Sequence, residues 1–156
     1  MAESSSPIST AHEPMTREKV CQLHDLGYHC SQTVLWHTSQ VLGVDRDLML
    51  RLSSGMGGGA GAGSLCGAAN AAIATLGIAF GFSEPNTREQ NARLAEKTSE
   101  FREWFCGRFG SLECRDLMGS LNFGIPEEAA RIHSEGRGQR CRQLIADVCG
   151  KLDEML

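Results

Sequence analysis

LSSGMGGGAGAGSLCGAANAAIATLGIAFGFS, residues 52–83, is the stretch that decides how this chain folds, and it carries no charged side chain. Its second half, from Ser64 to Phe80, is rich in alanine and free of proline, which predicts a long helix with Ser64 as its N-cap. Small residues lie on nearly every side of that helix, so neighbouring helices can approach it closely. We therefore expect a central helix that is buried on all sides.

The first half of the stretch is a glycine-rich loop, residues 55–63. Glycine weakens a core strand, but it lets bare backbone N–H groups approach another group closely. The loop is not a dinucleotide fingerprint, because no strand precedes it and the next acidic residue is Glu84. It is not a Walker loop either, since no Gly-Lys-Ser/Thr follows. Two interpretations stay open: a flexible connector, or a loop that wraps a cofactor or a reactive sulfur.

Cys66 follows the glycines and is predicted to lie in the first turn of the central helix. The positive end of the helix dipole and the unpaired N–H groups there favour an anion. We therefore expect the Cys66 thiol to have a lowered pKa and to ionise more easily than a free thiol. A thiolate is the form that attacks disulfides and binds metals.

The rest of the chain predicts helices and no strands, because no segment alternates apolar and polar residues and no hairpin signal occurs. Thr16 and Asp45 are N-cap candidates, and Pro126 suits a first helical position. The predicted helices span about 16–26, 29–42, 45–52, 64–80, 86–108 and 126–133, with a short segment after Ser111 and a last helix from Cys141 to Leu152. The fold class is all-α: a single-domain bundle of six or seven helices, residues 15–156, around the Ala/Gly-rich helix. Residues 1–14 predict a disordered tail.

Composition limits the function. A net charge of −4 and a pI near 5.7 argue against nucleic acid as the partner. The N-terminus lacks the basic and apolar regions of a secretory signal, and alanine and glycine are weak drivers of membrane insertion. We therefore expect a cytoplasmic protein with no membrane span, for which a homodimer is allowed. In a reducing compartment its seven cysteines are more often metal-binding or catalytic than structural bridges.

Four of the cysteines, Cys30, Cys66, Cys114 and Cys141, are predicted at a helix face or a helix start. The gaps between them match no local zinc or ferredoxin spacing, so any convergence must come from the fold. The other three, Cys21, Cys106 and Cys149, are explained as small hydrophobes, although any could replace a ligand. His29 directly precedes Cys30, and this position favours a role for His29 at the helix start over one as a metal ligand.

With these motifs the chain resembles the C_GCAxxG_C_C family of redox-active proteins, over roughly Thr16 to Cys149. The matching residues are Gly27-Tyr28-His29-Cys30-Ser31-Gln32, the glycine loop, Cys66-Gly67-Ala68 with Leu76-Gly77, residues 105–114, and Cys141-Arg142-Gln143-Leu144-Ile145. In one departure, Ala71 stands where the family pattern has a glycine. The resemblance implies that the four cysteines Cys30, Cys66, Cys114 and Cys141 are functional and that the role is redox chemistry. A related domain accompanies haem modules in split-Soret cytochromes, where an iron–sulfur centre is proposed; this chain has no C-x-x-C-H, so covalent haem is not expected.

An iron–sulfur cluster, 2Fe-2S or 4Fe-4S, suits four thiolates beneath a loop that can donate N–H bonds to sulfides. In this hypothesis Cys30, Cys66, Cys114 and Cys141 are the ligands. The glycines that cradle the cluster are Gly57, Gly58, Gly59, Gly61, Gly63 and Gly67. The role is electron transfer or redox sensing with an unknown redox partner protein, more than turnover of a substrate. Two alternatives stay open: a thiol–disulfide protein in which Cys66 attacks and a second cysteine resolves, and a structural zinc-binding protein or one without a metal.

Overall fold

The computed structural model describes residues 12–156, which form an all-α fold as predicted. The α-helices are α1 (Arg17–Asp25), α2 (Cys30–Leu42), α3 (Arg46–Ser53), α4 (Gly67–Phe80), α5 (Arg88–Phe109), α6 (Cys114–Leu117), α7 (Pro126–Ser134) and α8 (Gln139–Met155). Among the described residues these are eight, one more than the predicted six or seven, because the short segment after Ser111 forms the one-turn helix α6. The predicted tail falls mostly on residues 1–11, which lie outside the described residues.

Local sequence signals set the helix ends. The Thr16 hydroxyl accepts a hydrogen bond from the Lys19 N–H at 3.1 Å, and the Asp45 carboxylate accepts one from the Leu48 N–H at 2.8 Å. Each satisfies an N–H group that a helix start leaves unpaired. Pro126 occupies the first position of α7, as predicted.

Helix α4 lies at the centre and packs against α2, α5 and α8. Its first three turns bury a set of small or apolar residues: Ala68, Ala69, Ala71, Ala72, Thr75 and Leu76. The expectation of burial on all sides is wrong for its last turn, where Ile78 is 41% exposed and the Phe80 ring meets the cations of Arg93 and Lys97. Alanine and glycine are tolerated both in a core and at a surface, so the composition of α4 could not show where its burial ends.

Helices α2 and α8 complete the wall around α4. Both contact α4 and each other, and the Thr38 and Thr75 hydroxyls hydrogen-bond at 3.0 Å between α2 and α4. No described helix has the length and apolar character needed to cross a bilayer. The packing leaves the first residues of α2, α4 and α6 close to the glycine loop, and those starts carry the cysteines.

Candidate functional site

The glycine loop is a compact left-handed turn. Gly58, Gly59, Ala60 and Gly61 have φ values of 64°, 64°, 59° and 67°, and hydrogen bonds from the Ala60 N–H to the Met56 carbonyl and from the Ser64 N–H to the Gly59 carbonyl close it. Four successive residues in this region are costly for residues with a Cβ, since each such residue is strained by about 1–2 kcal/mol. Glycine at three of the four positions avoids this strain, which only Ala60 bears, and a flexible connector would not need such a shape.

Two glycines are also required by close contacts with cysteines. A Cβ added to Gly59 would lie 2.4 Å from the Ser64 backbone nitrogen and 2.9 Å from the Cys114 Cβ. A Cβ added to Gly67 would lie 2.6 Å from the Cys30 sulfur. The backbone of the loop and of the α4 start thus touches two of the four predicted cysteines directly.

The other predicted loop glycines have different neighbours. Gly57 packs against the His29 side chain, and Gly63 packs against Arg115 and Asn122. A Cβ added to Gly61 would meet no heavy atom within 4 Å, and Gly61 lies on a cavity wall.

Cys30 is the first residue of α2 and the centre of the site. The nearby backbone N–H groups of Gly58, Ser31 and Ala68 favour the ionised form of its thiol. They come from the loop, from α2 and from α4. Burial nevertheless raises the pKa of the Cys30 thiol, because desolvation outweighs these N–H contacts.

Cys66 and Cys114 are held together by an isolated antiparallel bridge between Leu65 and Glu113. The Cys66 N–H donates to the Leu112 carbonyl and the Cys114 N–H donates to the Ser64 carbonyl, both at 2.7 Å. Side chains that alternate along a strand put both cysteines on the face opposite to Leu65 and Glu113. The sequence did not reveal this short pairing, because one partner lies before α5 in the chain and the other lies after it.

The four sulfurs affect one another electrostatically. Burial, followed by the neighbouring Cys30, raises the pKa of Cys66 to about 12, that of Cys114 to about 11 and that of Cys141 to about 12. Cys114 also raises the pKa of Cys141, which lies in the first turn of α8, and Cys141 also raises the pKa of Cys66. Cys30 therefore lies near each of the other three predicted cysteines.

The expected lowering of the Cys66 pKa is wrong. Cys66 is the N-cap of α4, one position before the helix, and Ser64 does not cap it. The N–H groups of Ala68 and Ala69 do lower the pKa of Cys66, but burial and the sulfur of Cys30 raise it more.

The sulfurs are spread more widely than the ligands of a single ion. Within residues 12–156, one trio of ligand atoms lies mutually within 4.8 Å, and that trio is His12, His37 and Asp153 rather than three of the sulfurs.

A cavity of about 570 Å³ reaches the site from the surface. Cys30 and Cys141 form part of its wall together with the loop, His24 and Arg142. The buried Nε2 of His24 has no hydrogen-bond partner among the described residues, and burial and Arg142 lower the His24 pKa. The sequence does not single out this histidine, because its position in the wall depends on how α1 packs against α8.

The other three cysteines lie elsewhere. Cys106 is exposed on α5, and Cys21 meets the Arg142 guanidinium at 3.5 Å. Cys149 is fully buried on α8, where burial and the nearby Asp153 raise its pKa. His29 precedes α2, where its backbone N–H donates to the Gln32 side chain at 3.0 Å, in keeping with a helix-start role.

A helical bundle that gathers four cysteines beneath a glycine turn is typical of redox-active and metal-thiolate proteins. The family model C_GCAxxG_C_C, described as "Putative redox-active protein", matches residues 28–155. The chain belongs to this family. Neither the curated proteins nor the solved structures gave a significant match.

Proposed function

We propose that this chain holds an iron–sulfur cluster through Cys30, Cys66, Cys114 and Cys141 and serves in electron transfer or redox sensing in the cytoplasm. One observation carries the proposal: thiols from four separate segments, the starts of α2, α4, α6 and α8, lie close enough together for Cys30 to raise the pKa of each of the other three. A cluster held by these thiols would supply a one-electron redox couple.

The charges of the site favour a metal. With pKa values of about 11 to 12, Cys66, Cys114 and Cys141 are neutral thiols at pH 7 when nothing compensates their charge. Four thiolates in one buried place repel each other, and a bound cation removes that repulsion and deprotonates the ligands outright. The same residues that resist ionisation alone thus form a strong thiolate set around a metal.

The backbone supports the ligands. The N–H groups of Gly58, Ser31 and Ala68 favour the thiolate form of Cys30, and those of Ala68 and Ala69 favour that of Cys66. Hydrogen bonds to ligating sulfurs stabilise their negative charge and raise the reduction potential of the centre they hold. The glycine turn contributes to this stabilisation at Cys30 through the Gly58 N–H.

The spacing favours a cluster over zinc. A tetrahedral zinc ion with bonds of about 2.3 Å holds its sulfurs about 3.8 Å apart. Among the described residues no three of the four sulfurs lie mutually within 4.8 Å, so a single ion would need them to move inward. A cluster of several atoms fits more widely spaced ligands.

The pKa values disfavour the thiol–disulfide alternative. An attacking cysteine works as its thiolate, and the best attacking thiols have a pKa near the ambient pH. Burial holds the pKa of Cys66 near 12, so little thiolate is present at neutral pH.

The test is an iron and acid-labile sulfide determination on protein purified without oxygen, with the visible absorbance recorded. We expect both elements to be present together with a charge-transfer band, and all three to be lost in Cys66→Ser. The matched control is Cys106→Ser, which removes an exposed thiol of α5 and should keep the cluster. Colourless protein with one equivalent of zinc, or a chromophore that survives Cys66→Ser, would overturn the proposal.

A further inference from the structure

We propose that His12, His37 and Asp153 form a second metal site, which takes a divalent ion of the zinc type through two imidazole nitrogens and a carboxylate oxygen. These three side chains come from three separate segments: the residues before α1, the middle of α2 and the end of α8. Their ligand atoms all lie within 4.8 Å of one another.

The geometry is close to that of a zinc site. The Nε2 atoms of His37 and His12 lie 2.8 Å and 3.3 Å from the same Asp153 oxygen, Oδ1. Zinc bonds of about 2.0–2.1 Å to nitrogen or oxygen in a tetrahedron place neighbouring ligand atoms about 3.3 Å apart. Small side-chain movements are therefore enough to accommodate an ion between the three atoms.

The surroundings hold the ligands in place. His37 is 2% exposed, and the side chains of His12 and Asp153 are 18% and 25% exposed. The two imidazole rings meet edge to face with their centroids 5.3 Å apart. A partly buried, pre-oriented set of two histidines and one carboxylate is the ligand set of several catalytic zinc sites and of non-haem iron sites.

A cavity leaves room for a further ligand. It has a volume of about 530 Å³, and His12 and His37 lie in its wall beside Trp36. Catalytic zinc sites keep one position open for water or substrate, whereas structural sites are closed by four protein ligands. The charged residues around the cavity are mixed: Glu13 and Glu18 are acidic, and Lys19 is basic. Among the described residues no fourth ligand atom joins the trio, which matches the open form.

A purely structural role predicts a different behaviour. In that case both imidazoles donate an N–H to Asp153, and the group only fastens residue 12 and α2 to α8. Such a network has no affinity for zinc. The two interpretations are separated by metal titration, independently of the cysteine cluster.

The experiment is a Co²⁺ titration of reduced, metal-free protein, followed by competition with Zn²⁺. Cobalt bound to thiolates gives strong sulfur-to-metal bands in the near ultraviolet, whereas cobalt bound to nitrogen and oxygen gives only weak visible bands. We expect the weak visible bands in the wild type whether or not sulfur bands appear. Cys66→Ser should weaken the sulfur bands and leave the weak visible bands unchanged.

The deciding variants are His12→Gln and Asp153→Asn. His12 lies outside the helices, so its replacement tests the site even if a change at His37 disturbs folding. Both variants should lose the nitrogen and oxygen site with an affinity loss of more than about 100-fold, since even the loss of a group that only orients a ligand costs up to that much. Glu13→Gln, in the same cavity but outside the trio, is the matched control and should bind as the wild type does. Absence of the weak bands in the wild type, or their persistence in His12→Gln, would overturn the proposal.

Discussion

Helices α2 and α8 each carry a residue of two different clusters. Cys30 and His37 lie about 10 Å apart along α2, and Cys141 and Asp153 about 18 Å apart along α8. The starts of the two helices carry residues of the sulfur cluster, whereas the middle of α2 and the end of α8 carry residues of the His–Asp group of His12, His37 and Asp153. The same two helices thus hold thiols in one place and imidazole and carboxylate ligands in another.

In the two clusters, neighbouring residues shift the pKa values in opposite directions. In the sulfur cluster every ionised thiol raises the pKa of its neighbours, in addition to burial. In the His–Asp group burial raises the pKa of Asp153, but the hydrogen bonds and charges of His37 and His12 bring it below its usual value. The thiols of the sulfur cluster therefore need an added cation to ionise at neutral pH. In the His–Asp group, the two histidines already stabilise the negative charge of Asp153.

The largest expected effect is a difference in thiol reactivity. A thiol with a pKa near 12 is ionised to about one part in ten thousand at pH 8, against about a quarter for an ordinary thiol. In metal-free protein we therefore expect iodoacetamide to alkylate Cys66 and Cys141 at least about 1,000-fold more slowly than an ordinary exposed thiol. Mass spectrometry of peptides after timed quenching measures each site, with the exposed Cys106 as internal reference. Fast alkylation of Cys66 would contradict the raised pKa of this thiol and would favour the thiol–disulfide function instead.

The next effect concerns the glycine turn. Gly59→Ala places a Cβ against the Ser64 backbone and the Cys114 Cβ, at a residue with φ of 64°. Overpacking and a strained backbone together should lower the free energy of unfolding by at least about 2 kcal/mol. Urea unfolding measures the change, and the alkylation of Cys114 should accelerate.

Gly61→Ala is the matched control. It has a similar φ of 67°, but nothing lies near the added Cβ. Only the backbone strain is left, which costs about 1 kcal/mol. Equal destabilisation by the two variants would show that close contact with Cys114 does not matter.

The last effect depends on pH and concerns the His–Asp group of His12, His37 and Asp153. A carboxylate with a folded pKa below its unfolded value of about 3.9 stabilises the protein above that pH, and this contribution is lost as the pH falls through the folded pKa. With a chelator present, Asp153→Asn should cost about 1.5 kcal/mol at pH 7, as for a hydrogen bond to a charged group. The gap to the wild type should close below about pH 4. A difference in unfolding free energy that does not vary with pH would mean that the ionised carboxylate is not the source of the stability.

Helix positions were predictable because their signals are local. The caps at Thr16 and Asp45 and the proline at the start of α7 each involve residues within one turn, so the sequence shows both partners. The motif pattern also singled out Cys30, Cys66, Cys114 and Cys141, whose role as ligands stays a prediction. The pKa of Cys66 was predicted wrongly because the prediction rested on the helix start without the burial that surrounds it.

By itself, the sequence determined that this chain is all-α, where most of its helices begin and end, and that it belongs to a family of redox-active proteins. Only the tertiary structure decided that Cys30 lies near the other three cysteines, that burial raises the pKa of Cys66 and Cys141, and that His12, His37 and Asp153 converge. The physical reason is the distance along the chain over which each effect acts. Capping and periodicity act within a few residues, whereas desolvation and charge coupling depend on groups that lie more than 100 residues apart in the chain, as His37 and Asp153 do with 116.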